Sequence, residues 1–177
     1  MNNTSKIFIA AAATVLLTAS SAIATTPDWQ LPISSQTPGV TNSTVTQSNI
    51  KNNICKSGWT NTVRPPVSYT NKLKATQLAG PYASFAKIWG TTPSAYEEDH
   101  LISLQLGGSP TDPKNLFPEP YAGKNARKKD VVETKLKRLV CAGTITLSVA
   151  QKAISTNWVT AYNQYVTSSD KADTSSN

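Results

Sequence analysis

Hydrophobic positions recur at helical spacing towards the carboxyl end of the chain. Along residues 125–140 the apolar side chains keep to one face and basic side chains occupy much of the rest, which predicts an amphipathic helix. A second apolar series along residues 147–166 predicts another helix, bent near Ser155. Gly143 separates the two series. We expect the second helix to be a packing element without chemistry of its own.

The amino-terminal half interrupts its short apolar stretches with proline and glycine. Pro65 and Pro66 rule out a central strand at that point, and residues 72–78 predict a short helix. Four large apolar side chains at helical spacing then predict a second short helical or irregular piece: Tyr82, Phe85, Ile88 and Trp89. Core packing is one role for these four side chains, and a platform for stacking nucleic-acid bases is the alternative.

The stretch between these two regions, residues 96–130, is dominated by polar residues in a fixed order. Three acids precede the single histidine, a glycine pair follows, and an asparagine comes before two apolar residues: Glu97, Glu98, Asp99, His100, Gly107, Gly108, Asn115, Leu116 and Phe117. The pattern predicts a strand, a turn, a second strand and a helix that close around one metal ion.

The two ends of the chain differ in composition from its middle. Residues 1–24 predict a signal peptide, because Lys6 precedes an apolar run too short for a comfortable membrane span. Small residues around Ala24 predict cleavage there, and a retained amino-terminal anchor is the alternative. Residues 25–51 predict a flexible Thr-, Ser- and Asn-rich segment. No later segment is apolar enough to span a bilayer.

The rest of the chain is expected to form one domain, residues 52–167, followed by a flexible tail, residues 168–177. Cleavage lowers the formal charge by one, from +7 to +6, because Lys6 is the only charged residue of the signal peptide. The mature protein would be secreted or periplasmic. Its positive charge favours an anionic partner such as nucleic acid, an acidic glycan or an anionic envelope surface.

The cysteines fit export. Cys55 and Cys141 are the only two, and in an oxidising compartment we predict that they form a disulfide. Two buried free thiols are the alternative. The chain has no CxxC pair, so a zinc knuckle is not expected.

The polar residues of the central stretch suit phosphodiester hydrolysis. Histidine, with a pKa near neutrality, can deprotonate water, and Mg²⁺ is held by few oxygen ligands, such as Asp99 and Asn125. Adjacent strand residues point to opposite faces, so Asp99 and His100 flank one site only where the strand ends or twists. The glycine turn would return Asn115 to the side of His100, where its amide orients the imidazole or ties down the loop.

At these residues the chain resembles the HNH endonuclease family, within the His-Me finger or ββα-metal nucleases. The resemblance covers residues 96 to about 130. It implies an α+β fold with a small ββα-metal core, in which Asp99 binds the metal, His100 is the general base, Asn115 is the orienting residue and Asn125 is a second ligand. The implied cofactor is one divalent cation, Mg²⁺ or Mn²⁺. The chain also looks like exported bacterial members that combine an EDHLIxLxLGG motif with an AQxAI helix.

The predicted function is therefore that of an exported, metal-dependent endonuclease acting on DNA, with RNA as a further substrate. Little sequence preference is expected, because no reader of base edges is visible. Four cations near Asn125 are predicted to contact the substrate backbone: Lys124, Arg127, Lys128 and Lys129. The alternative for these four is a solvated helix face.

Other functions stay open. One is a non-catalytic exported domain that keeps the HNH fold and binds nucleic acid or another polyanion. Another is a structural or envelope-associated protein with a decayed site. A paired-carboxylate glycosidase would combine Glu97 or Glu98 with a second acid, such as Asp112 or Glu119.

Overall fold

The structure is a computed structural model that describes residue 1 and residues 27–172. All but the first residue of the predicted signal peptide, together with residues 173–177, lies outside the described residues. The helices are α1 Trp59–Val63, α2 Val67–Ala79, α3 Ala83–Trp89, α4 Ala126–Cys141, α5 Leu147–Tyr165 and α6 Ser168–Ala172. The strands are β1 Tyr96–His100 and β2 Leu116–Pro120. No described helix is long and apolar enough to cross a membrane.

The two strands form one antiparallel sheet, in which His100 pairs with Leu116 and Tyr96 pairs with Pro120. Together with the helices this sheet confirms the α+β class. Asn115 directly precedes Leu116, so it lies at the same end of the sheet as His100, where the turn was expected to return it. The connection between the strands is a long loop with two short 3₁₀ turns, Leu104–Leu106 and Pro113–Asn115.

The glycine pair shapes this loop. Gly107 ends the first 3₁₀ turn with a positive φ of 71°, a conformation that glycine adopts without steric cost. A Cβ atom on Gly108 would lie 1.7 Å from the carbonyl oxygen of Ile102, so no side chain fits there. The loop therefore folds back tightly onto its own first turn.

Helices α4 and α5 pack against each other and bury the predicted apolar faces, including Val132, Leu136, Ile154 and Trp158. The bend predicted near Ser155 and Thr156 is confirmed in α5, at the next residue. Asn157 leaves helical geometry, with φ −166° and ψ 99°, and its side-chain oxygen accepts a hydrogen bond from the Thr160 amide at 2.9 Å. The asparagine thus restarts the helix after the kink.

The predicted disulfide is confirmed. Cys55 and Cys141 are bonded, with their Cα atoms 5.6 Å apart. The bond fixes the end of α4 to the segment before α1 and encloses the sheet in a covalent loop. A loop of this length stabilises the fold by about 4–5 kcal/mol in the chain-entropy account. A disulfide of this kind fits an exported protein.

The prediction that residues 25–51 are flexible is wrong for the described part, residues 27–51. Trp29 packs edge-on against Trp158, with ring centroids 5.3 Å apart. The buried Thr37 hydroxyl donates to the Leu116 carbonyl at 3.0 Å, and Gln47 accepts from the Leu147 amide at 2.6 Å. The polar composition suggested disorder, but these side chains satisfy backbone groups of the strands and helices instead.

The predictions for the carboxyl-terminal tail and for the short helices of the amino-terminal half have different outcomes. The tail prediction is wrong for residues 168–172, which form α6; the Asp170 carboxylate caps this helix at Thr167 and pairs with Lys135 at 2.9 Å. The predicted short helices are present as α2 and α3. Tyr82 and Phe85 are buried in the core, which confirms their packing role, whereas Ile88 is exposed.

Candidate functional site

A polar cavity of about 330 Å³ opens at the end of β1. Its lining includes five acids and two bases: Glu97, Glu98, Asp99, Asp130, Glu133, Arg64 and Lys74. His100 also lines it, so the cavity wraps around the strand end and collects side chains from both faces of β1. A larger cavity of about 480 Å³ at the α5 kink has no titratable side chain in its lining, and we therefore place the chemistry at the polar one.

His100 is held by the loop between the strands. Its side chain is buried, and Nε2 lies 3.0 Å from the carbonyl oxygen of Pro110. A carbonyl only accepts, so Nε2 carries the hydrogen and Nδ1 keeps its lone pair in the neutral ring. Burial lowers the pKa of His100, although Asp99 and the Pro110 carbonyl act in the opposite direction. The imidazole is therefore neutral at pH 7 and presents a basic nitrogen.

Asn115 holds this loop in place, which is one of the two roles expected for its amide. Its Oδ1 accepts from the amides of Ile102 and Val40 at 3.0 and 3.3 Å. Its Nδ2 donates to the carbonyls of Ile102 and Ser109 at 3.0 and 2.9 Å. Ser109 precedes Pro110, so Asn115 acts on the imidazole through the backbone that Nε2 contacts. It is a positioning residue.

A cluster of three carboxylates lies on the other face of the sheet. Glu97 pairs with Glu119 across the strands, and Asp99 lies two residues further along the same face. One carboxylate oxygen from each of the three lies within 4.8 Å of the others. Glu119 is fully buried, whereas Glu97 and Asp99 line the cavity. The cluster therefore has a buried floor and an open side.

The three carboxyl groups of the cluster have pKa values shifted from their ordinary ones. Burial, and then the charge of Asp99, raise the pKa of Glu119 well above its ordinary value. The same two causes raise the pKa of Glu97 to about 7. Burial also opposes ionisation of Asp99, but Lys129 outweighs it and the pKa of Asp99 is lowered. The three carboxyl groups therefore differ in how readily they ionise, and Asp99 ionises most readily.

Lys129 does not lie on the substrate surface, and this corrects the prediction that it contacts phosphate. Its side chain is fully buried, and its ammonium group donates to Asp99 at 2.5 Å, Glu133 at 2.5 Å and the His100 carbonyl at 2.7 Å. Burial alone would lower its pKa, but the charges of Asp99 and Glu133 raise it. Lys129 is a fixed internal cation that joins α4 to the end of β1.

Asn125 is not brought to the cavity, and this corrects its assignment as a second ligand. Its Oδ1 accepts from the Gln30 amide at 2.5 Å, and its Nδ2 donates to the Ala122 carbonyl at 2.6 Å. The side chain is buried and does not line the cavity. Both polar groups of the amide tie the amino-terminal segment to the turn before α4, so the side chain is committed away from the cavity.

The other three predicted substrate contacts lie nearer the surface. Lys124 is half exposed, pairs with Asp28 at 2.6 Å and lies over the ring of Trp29. Arg127 is exposed and Lys128 is partly exposed. Their contact with a nucleic-acid backbone stays a prediction.

Sequence reasoning missed Glu119 as a member of the carboxylate cluster and considered it only for a glycosidase. The signal that could have found it is the strand register, since pairing His100 with Leu116 places Glu119 opposite Glu97. It also missed Arg64, an exposed residue in the cavity lining, and the Pro110 carbonyl, whose position depends on the fold of the loop.

Comparison of the chain with models of protein families, with curated proteins and with solved structures found no match. The resemblance to HNH endonucleases therefore rests on the residues of the central stretch alone.

Proposed function

We propose that this chain is an exported, metal-dependent endonuclease that hydrolyses phosphodiester bonds of DNA, with RNA as a further substrate, on a ββα-metal core formed by β1, β2 and α4. The observation that carries the proposal is the state of His100. Its Nε2 is committed to the Pro110 carbonyl, and burial keeps the ring neutral, so Nδ1 is available as a base beside Asp99.

The hydrolysis divides between the chain and solvent. His100 Nδ1 takes a proton from a water molecule whose oxygen forms a new bond to phosphorus. The ester bond between phosphorus and the leaving sugar oxygen breaks, and that oxygen takes a proton from water. Asn115 keeps the imidazole in register by fixing Ser109 and Pro110. Positioned proton transfer of this kind is worth about 10²–10⁴-fold in rate.

The charge of the cavity indicates that a cation takes part. Five acids against two bases line it, so a phosphate diester would be repelled by the cavity alone. A bound divalent cation supplies positive charge for the phosphate and for the developing negative oxygens. The donors on this face are carboxylate oxygens, the ligands that Mg²⁺ and Mn²⁺ prefer, and Glu119 has two buried oxygens without a hydrogen-bond partner among the described residues. Asp99 is the residue that would hold the ion nearest to His100.

The same observations weaken two alternatives. A polyanion-binding domain that used this cavity would need a basic lining, and this lining is acidic. A glycosidase that used Glu119 would need that carboxyl to reach a sugar, and it is fully buried.

Plasmid nicking tests the proposal. Purified, oxidised protein should convert supercoiled DNA to open circles with Mg²⁺ or Mn²⁺, and EDTA should stop the reaction because the cavity then repels phosphate. A protein that binds the plasmid but leaves it supercoiled with every divalent cation tried is a binding domain, and the proposal is then wrong.

A further inference from the structure

We infer that Glu97, Asp99 and Glu119 together form the binding site of one hard divalent cation, and that this site fills without nucleic acid. The inference deepens the proposed function, on which it rests for the role of the ion but not for its binding. It replaces the expected pair of Asp99 and Asn125, in which a single carboxylate would hold the ion weakly.

The Glu119 carboxylate is isolated from hydrogen-bond donors of the described residues. Its side chain is fully buried, and neither carboxylate oxygen has a hydrogen-bond partner among the described residues. Buried carboxylates are normally paired or bound to a metal, because an isolated charge in the interior costs several kcal/mol. The other two members of its cluster, Glu97 and Asp99, are also acids. A cation is the group that would satisfy all three.

The ammonium hydrogens of Lys129 are all directed at groups other than Glu97 and Glu119. An ammonium group has three hydrogens, and those of Lys129 are directed to Asp99, Glu133 and the His100 carbonyl. Lys129 therefore has none left for Glu97 or Glu119. The charge of Lys129 is therefore paired with Asp99 within the cluster. Glu97 and Glu119 receive no hydrogen bond from it.

The separation of the three carboxylate oxygens is short enough for the ligands of one ion. Two ligands of one ion lie no further apart than twice the metal–oxygen distance, which is about 4.2 Å for Mg²⁺ and about 4.6–5.2 Å for Ca²⁺. The three oxygens lie within 4.8 Å of one another. This spacing is compatible with one divalent cation of the size of Mg²⁺, Mn²⁺ or Ca²⁺ once the oxygens draw in around it. Glu97 and Asp99 line the cavity, so the ion has a path from solvent and room for water ligands.

Cation binding by oxidised protein in the absence of nucleic acid tests the inference. We would titrate the chain with Mn²⁺ and measure the free ion by electron paramagnetic resonance, then repeat the titration with Mg²⁺ and Ca²⁺ as competitors. Glu119→Gln keeps the shape of the side chain and removes its charge. Glu98→Gln is the matched control, since Glu98 also has two buried oxygens without a hydrogen-bond partner among the described residues but lies on the opposite face of β1.

The parent should bind about one Mn²⁺, displaced by Mg²⁺ and Ca²⁺. Glu119→Gln should weaken binding on the order of 10-fold or more, because affinity depends on the number of charged ligands, whereas Glu98→Gln should change it by less than about 3-fold. Added cation should raise the unfolding temperature of the parent and of Glu98→Gln but not of Glu119→Gln, which also shows that each variant folds. Glu97→Gln, at a less buried position, gives a second variant with the same expected weakening.

No binding by the parent at millimolar Mn²⁺, or equal effects of Glu119→Gln and Glu98→Gln, would overturn the inference. The two proposals fail separately. A chain that binds the ion at this cluster but never cuts DNA contradicts only the nuclease. A chain that cuts DNA with unchanged cation dependence in Glu119→Gln contradicts only this site.

Discussion

Two groups of buried polar side chains in the site differ in how they are satisfied. In the loop that holds His100, all four hydrogen-bonding positions of Asn115 are used, and the imidazole hydrogen has the Pro110 carbonyl as its acceptor. In the carboxylate cluster, Glu119 has no donor among the described residues. We call the loop the satisfied face of the site and the cluster its unsatisfied face; Glu98, which also lacks a hydrogen-bond partner among the described residues, belongs to neither. A satisfied network is rigid and holds a side chain in one orientation. An unsatisfied group of like charges is a place for a ligand, and we read the two faces as the support and the binding site of one centre.

The largest expected effect comes from the one internal cation of the unsatisfied face. Lys129→Met leaves Asp99 and Glu133 buried without their counter-charge, and we expect it to destabilise the fold by about 3–5 kcal/mol at pH 7. Urea unfolding measures this. Lys128→Met is the control, since Lys128 is partly exposed and makes no ion pair among the described residues, and it should stay within about 0.5 kcal/mol of the parent. Equal stabilities of the two variants would show that Lys129 does not hold the acids together.

The satisfied face is tested at Asn115. Asn115→Ala strands the amide and carbonyl of Ile102 and the carbonyl of Ser109, and we expect a loss of about 2–4 kcal/mol. Asn115→Asp keeps the shape but turns an acceptor towards two carbonyl oxygens, so it should lose nearly as much. Asn61→Ala, at an exposed position of α1, is the control. If Asn115→Asp unfolds like the parent, the hydrogen-bonding account of this loop is wrong.

The pH dependence of stability separates the two faces further. Burial is the main cause that raises the pKa of Glu97 and Glu133 to about 7 and that of Glu98 to about 8 in the folded chain, against about 4.5 when unfolded. Groups with a raised folded pKa stabilise fully below the unfolded pKa, and this stabilisation is lost as the pH rises through the folded value. Without added cation, stability should fall by about 1–3 kcal/mol from pH 6.5 to pH 8.5.

Urea unfolding in EDTA across that range provides the measurement. Glu98→Gln should flatten the upper part of the curve, because glutamine does not titrate. His100 acts only at lower pH, where burial has lowered its folded pKa and stability falls as the unfolded state takes up a proton. Stability that is constant or rises between pH 6.5 and pH 8.5 would contradict the burial of these acids.

The smallest expected effect lies outside both faces, on the surface near the start of α4. Removing Lys124, Arg127 or Lys128 one at a time should weaken binding of every DNA sequence about equally and lower the salt slope by about one unit. DNA affinity against salt concentration, measured in a His100→Ala background, checks this. Unchanged slopes in all three variants would assign these cations to a solvated helix face.

Local sequence patterns predicted the main helices, the kink and the disulfide. The wrong predictions concern side chains whose partners come from other parts of the chain. The α4 and α5 helices, the kink and the disulfide follow from spacing and from the two cysteines. The role of His100 as the base is what the resemblance implies, and it stays a prediction. The roles of Asn125, Lys129 and Glu119 depend on which groups the fold brings near them. Gln30 reaches Asn125 from 95 residues away in the sequence. Lys129 lies three residues before Val132 and seven before Leu136, so the helical pattern does place it on the apolar face; the basic run around it obscured that signal.

The central claim is that the Asn115 loop presents His100 as a neutral base beside a cation, and His100→Ala tests it most directly. We would measure the initial rate of plasmid nicking at saturating Mg²⁺ for the parent and the variant, with far-ultraviolet circular dichroism to show that both are folded. The account predicts a loss of about 10²–10⁴-fold, because the chain has one histidine and no other to remove the proton from water. A folded His100→Ala protein that nicks DNA at the parent rate would contradict it.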